Sequence, residues 1–117
     1  MDTILSRFEA AVDRIHQQDP AIRIYLLAVK PSISRASMWP AMQAVNAGLQ
    51  AIAAASSSIH YIDVATPMLN PDGSVRDDLF VADELHMNQK GYDIWRNTVA
   101  PVLIENELRY EPTPAAR

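Results

Sequence analysis

The 117-residue sequence contains no cysteine. That excludes a disulfide framework, a thiolate nucleophile and a cysteine-based zinc site. Glycine is scarce too: only Gly48, Gly73 and Gly91 occur. No apolar run approaches the length of a membrane span. Basic residues are outnumbered, 10 Lys and Arg against 14 Asp and Glu, for a formal charge of −4. That balance argues against nucleic acid or an anionic membrane as partners. The opening stretch M-D-T-I-L-S-R-F-E lacks a basic region followed by an apolar core. No signal peptide is therefore expected, and a cytoplasmic location is. His16 and His60 have no carboxylate or histidine at ligand spacing, so neither a metal site nor a cofactor is expected.

The length suits one domain, with burial of roughly two-thirds of the unfolded surface. Ile4, Leu5, Phe8, Ala11, Val12 and Ile15 recur at helical spacing and predict a helix over 3–18. Asp19-Pro20 ends it. I-R-I-Y-L-L-A-V, 22–29, is apolar without interruption from Ile24 and reads as a strand covered on both faces. A serine-rich loop follows Lys30-Pro31, and Pro40 suits the first turn of a helix running to about Ser56. I-H-Y-I-D-V, 59–64, predicts a second strand, and N-P-D-G a turn. Asn88 is placed to cap a last helix over 89–107, which Pro101 is expected to kink or divide. Residues 109–117 read as a flexible tail. Alternation of helix and strand argues for an α/β layer with parallel strands. Two strands alone leave long backbone edges unpaired.

The chemistry concentrates in D-E-L-H-M-N-Q-K-G-Y, 83–92. A hydrolytic serine needs an imidazole to take its proton and an acid to orient that imidazole. Asp83 and His86 stand three residues apart just before a helix, so one short segment supplies both groups. Taken alone, Asp-x-x-His is better explained by a turn aspartate and a loop histidine. Tyr92 and Trp95 share helical spacing that favours packing over pocket lining, and Asp63 suits loop capping at a strand end.

The wider sequence resembles the SGNH (GDSL-like) hydrolases, a lipase and esterase family. The resemblance rests on Asp83, His86, Asn88, Gly91, Tyr92, Trp95 and Pro101, on I-Y-L-L-A-V-K-P-S-I-S-R with Trp39 close behind, and on I-D-V-A-T-P-M-L followed by D-G. It runs from about residue 3 to 106, and covers only the second half of the family's domain. By resemblance, Asp83 and His86 are the catalytic acid and base. The family's serine in G-D-S, its oxyanion glycine and the asparagine of G-x-N-D have no matching positions. No glycine here opens a G-D-S, and no Asn-Asp dipeptide occurs. Ser32, Ser34 and Ser37 follow the first strand at the end of the sheet where α/β sites form, although loop chemistry explains them better. A water activated by His86 is another route. Arg35 and Trp39 are the candidates for substrate binding, and a packed loop explains them as well.

The resemblance implies the C-terminal half of a flavodoxin-like fold over residues 1–108. Its two parallel strands, 22–29 and 59–64, correspond to strands four and five of five, with three main helices. The missing neighbour leaves the apolar strand 22–29 with an open edge. Pairing of that edge across a two-fold axis is the expected solution, as a homodimer with strand order 5-4-4′-5′. A helix-mediated dimer and a domain swap compete with it, as does a separate chain supplying the first half. Three functions stay in contention. One is a carboxylic-ester hydrolase sequence with weak or no activity alone, acting on a small ester if active. The second is a non-catalytic module that binds itself or a partner. The third is a gene remnant.

Overall fold

Leu5, Phe8 and Val12 pull the first helix onto its neighbour, and only part of its apolar stripe is used. The computed structural model describes residues 2–110 of the chain. Helix α1 spans Asp2–Gln18. Val12 is buried, with Leu5 and Phe8 packed beside it, against Leu26, Val45, Leu49 and Ile59. Ile4, at 47% exposure, and Ile15, at 38%, face water instead. Strand β1 is Ile24–Leu27 and α2 is Trp39–Ala54. Pro40 sits in the first turn of α2, where its missing N–H costs nothing. Strand β2 is Ile59–Ile62 and α3 is Gln89–Leu108. Short 3₁₀ turns at Ala36–Met38, Thr66–Met68 and Asp77–Leu79 link these elements.

The two strands pair in parallel, Ile24 opposite Ile59 and Leu27 opposite Ile62. Helices α1 and α2 cover one face around Leu26, Leu49 and Ile59. Helix α3 covers the other through Trp95, Val99 and Val102, against Ala28, Ile62 and Val64. This is a three-layer α/β arrangement with two parallel strands and three helices, the expected half of a doubly wound sheet.

Both strands are shorter than the sequence suggests, and side chains explain why. The Asn46 amide of α2 takes over the peptide of Val29, accepting its N–H at 2.7 Å and donating to its carbonyl at 3.0 Å. The ladder itself ends at Ala28, because Val64 donates to the Ile62 carbonyl instead of to β1. At the other end Ile22 donates to Asp19 in a turn, and the ladder starts where Ile24 donates to the Ser58 carbonyl. Asp63 ends β2 by accepting from the N–H groups of Ala65 and Thr66. Pro101 does not divide α3, one of the two outcomes expected of it. It lies on the exposed side, where water can serve the carbonyl of Asn97 that proline leaves unpaired. Of the expected tail 109–117, Arg109 and Tyr110 still donate to the carbonyls of Asn106 and Glu107. Residues 111–117 lie outside the described residues.

One edge of β1 has no strand beside it among the described residues. Ile24 and Ala28 direct their N–H groups to β2. In a parallel ladder the alternate residues, Tyr25 and Leu27, must direct theirs the other way. Exposed apolar residues include Ile22 and Leu27, in and just before β1, Ile4 on α1, and Ile104 and Leu108 on α3.

A clamp fixes α3 to the sheet. Arg23 donates twice to Glu107, at 2.7 and 2.6 Å, and the Tyr25 hydroxyl donates to the same carboxylate at 2.7 Å. Tyr25 also stacks on His60, with ring centroids 5.0 Å apart. The Arg23 guanidinium, then the Tyr25 hydroxyl, hold the Glu107 carboxyl down to about 2. Burial, with the Glu107 bond second, pushes the Tyr25 phenol up to about 12. A depressed carboxyl stabilises the fold above its unfolded pKa, about 4.3, and loses that effect as pH falls through about 2. Glu107→Gln should therefore lower the thermal midpoint at neutral pH, and the gap to wild type should close towards about pH 2. Calorimetry across that range checks it; a gap independent of pH contradicts the clamp.

Candidate active site

The segment carrying Asp83 and His86 is a tight loop with an anchored base. Phe80 and Met87 form an antiparallel bridge. Val81 donates to the His86 carbonyl at 2.9 Å and Asn88 to that of Leu79 at 2.8 Å. Leu79, Phe80, Met87 and Met68 are buried together beneath it. Those apolar residues explain the patch before the motif: they hold the loop down while its tip reaches solvent.

At the tip, Asp83 folds back on His86. Its Oδ1 accepts from the N–H groups of Leu85 and His86, both at 2.9 Å. Its Oδ2 meets His86 Nδ1 at 2.5 Å. The backbone bends sharply to allow this. Glu84 has φ of 59°, a left-handed conformation that a non-glycine residue adopts at some cost. The bond to His86, then the two backbone N–H groups, hold the Asp83 carboxyl down to about 2. It is therefore ionised through the neutral range and accepts a proton-bearing Nδ1. Nε2 of His86 is left without a hydrogen-bond partner among the described residues, on a side chain that is 72% exposed.

Asn88 and Gly91, the other motif residues, are structural. The Asn88 side chain accepts from Gly91 N at 3.1 Å and donates to the Asp78 and Phe80 carbonyls at 2.8 and 3.4 Å. It caps α3 and ties the loop to the helix. Gly91 is buried where α3 meets Leu79 and Met87. Trp95 packs between two core clusters, whereas Tyr92 is half exposed.

A cleft of about 270 Å³ opens beside His86, lined by Val29, Lys30, Ser32, Arg35, Met42, Leu85 and His86. Arg35 thus lies where the sequence placed it. Trp39 does not line this cleft. Its ring is buried with Ala28, Ile62, Val64 and Ala65, because α2 starts there and turns it inward. Ser32 lines the cleft but is only 3% exposed, while Ser34 and Ser37 are exposed outside it. Lys30 was not singled out by the sequence. It donates to the Leu85 carbonyl at 2.7 Å and so braces the residue before His86. The available signal was its place directly after a strand, at the end of the sheet where sites form.

The remaining candidates are structural. Asp63 caps a turn. His16 bonds the Ile22 carbonyl and Ser58, and His60 stacks on Tyr25. Among the described residues no three His, Asp or Glu side chains gather as metal ligands, and no helix is long and apolar enough to cross a membrane.

A family model, that of the GDSL-like Lipase/Acylhydrolase family, matches residues 1–94. No curated protein matches the chain. A solved structure from Streptococcus pneumonia, described provisionally as a platelet activating factor, shares the fold with a TM-score of 0.73 at 21% identity. The likeness covers 87% of this chain and 51% of that one, so the chain spans about half the length of the structure it matches.

Proposed function

The chain belongs to the GDSL-like lipase/acylhydrolase family, and on that premise we propose that it carries the acid–base half of a serine ester-hydrolase site. The nucleophile and oxyanion donors come from a polypeptide bearing the family's G-D-S and G-x-N-D blocks, docked along the open edge of β1. His86 takes the serine proton through Nε2 as the hydroxyl attacks the ester carbonyl. It then returns that proton to the leaving alkoxide, and the same steps with water release the acid. Asp83 fixes the ring and stabilises the imidazolium. The bond between His86 Nδ1 and Asp83 Oδ2, with Asp83 held by two backbone N–H groups, carries this reading. A bare turn aspartate would have no need of the imidazole.

Alone, the chain should turn over esters weakly or not at all. One missing oxyanion donor typically costs about 10²–10³ in rate, and the nucleophile is missing too. A second reading is favoured by the open edge of β1 with its exposed Leu27 and the exposed Ile22 just before it: a non-catalytic module pairing with a second copy of itself through β1. A fluorophosphonate probe combined with sedimentation separates the two. The hydrolase reading expects no labelling of the isolated chain. It expects serine labelling and ester turnover once the unmatched half of the streptococcal fold is supplied, fused or in trans. A tight dimer that stays unlabelled and excludes that half supports the second.

A further inference from the structure

The cleft beside His86 is basic in a way that proton transfer does not require. Two cationic side chains, Lys30 and Arg35, line it with the buried Ser32, and no carboxylate is among its lining residues. Arg35, like Arg7 and Arg14, has no ion-pair partner among the described residues, while Arg23, Arg76, Arg96 and Arg109 each face a carboxylate. Asp83 lies close enough to favour the charged form of Lys30, but its own oxygens are committed to His86 and the loop backbone. The Lys30 ammonium spends one N–H on the Leu85 carbonyl and keeps two for another acceptor. Burial, followed by repulsion from Arg35, lowers the Lys30 pKa. Two like charges on one cleft repel each other, and an anion bound between them relieves that repulsion.

We infer that the cleft formed by Lys30, Ser32 and Arg35 is an anion subsite, shaped for the carboxylate, phosphate or sulfate group of the ester whose carbonyl lies at His86. This rests on the hydrolase reading for the word ester, and the anion site itself stands on geometry alone. The volume of about 270 Å³ holds one such group with a short linker. Arg35 supplies a planar fork, Lys30 a point charge, and Ser32 a hydroxyl able to donate. Placing the anion here sets the scissile carbonyl a few bonds away, at the imidazole. Neutral esters of the same size lack that anchor. The chain should then prefer half-esters of dicarboxylic acids, or esters bearing a phosphate or sulfate near the carbonyl.

The test needs no catalysis, so its failure is separable from failure of the hydrolase reading. The amide spectrum of the isolated chain is titrated with inorganic phosphate, with methyl hydrogen succinate and with neutral dimethyl succinate, at constant ionic strength. Saturable shifts clustered at Lys30, Ser32, Arg35, Leu85 and His86 are expected for the two anions and not for the diester. Arg35→Gln should weaken binding about tenfold by removing one charge-assisted contact. Arg35 is exposed, so this variant should fold. Lys30→Gln, which can still donate to Leu85, should weaken it similarly, and Arg96→Gln on α3 should leave it unchanged. Equal binding of the neutral diester overturns the inference. So do shifts that never saturate or that spread over Arg7, Arg14, Arg96 and Arg109. A third arm repeats the titration with the completing half bound. Loss of the phosphate response there assigns the site to a carboxylate of that half and overturns the substrate role.

Discussion

In the completed domain, His86→Ala should lower kcat/KM by about 10⁴–10⁶-fold, the scale on which loss of the base disables serine catalysis. No other imidazole can substitute. His16 is bonded to Ile22 and Ser58, and His60 is stacked under Tyr25. Asp83→Asn should cost about 10⁴-fold for a different reason. The Asn oxygen can still accept from the N–H groups of Leu85 and His86, as Asp83 Oδ1 does at 2.9 Å. Its NH₂ then faces Nδ1, where Oδ2 now sits at 2.5 Å. A donor in that place forces Nδ1 to accept and puts the ring proton on Nε2. The ring is held in position and in the wrong tautomer. Steady-state kinetics with an activated acetyl ester, on variants shown to fold, measure both losses. His86→Ala within tenfold of wild type would remove the base from the mechanism. Asp83→Asn without effect would reduce the bond to a loop fastening.

The sequence showed the Asp83–His86 pair, the parallel strands and the open edge because each is written in short-range chemistry. Three-residue spacing before an N-cap, an unbroken apolar run, and alternation of helix with strand need no tertiary knowledge. What it could not show depends on residues far apart in the chain. Nothing about Asn46 announces that its amide takes both hydrogen-bonding groups of Val29. Nothing about Lys30 announces that it braces Leu85, 55 positions later. Trp39 looked like a site residue by proximity to Arg35. Three positions of 3₁₀ turn between them suffice to put one in the cleft and the other in the core. Whether Pro101 divides α3 depends on which face of the helix meets water, and that is not written locally.

Gly91→Ala should destabilise the protein by about 1–3 kcal/mol, the range for forcing extra volume into a packed contact. A helix interior ordinarily gains up to about 1 kcal/mol when glycine becomes alanine. Here the new Cβ would stand 2.8 Å from the Leu79 carbonyl oxygen and 2.8 Å from Met87 Cβ. A backbone carbonyl cannot swing aside as a side-chain tip can. That carbonyl also accepts from Asn88 at 2.8 Å, so moving it loosens the cap of α3 as well. Leu79 and Met87 begin and end the loop that holds Asp83 against His86, so the damage should reach the site. The Asp83 carboxyl, freed from its imidazole, should titrate above its wild-type value of about 2. Gly48→Ala is the control. The three heavy atoms nearest its Cβ would all belong to the Leu5 side chain, and Leu5 can turn towards the open flank of α1. Its cost should be smaller and leave Asp83 untouched. Urea unfolding and a carboxyl-detected titration read the two variants together. Equal losses would mean that backbone contact at Gly91 is not what the motif glycine serves. A stabilised Gly91→Ala would mean that α3 and the catalytic loop are not locked together, and that the geometry of His86 is set by Asp83 alone.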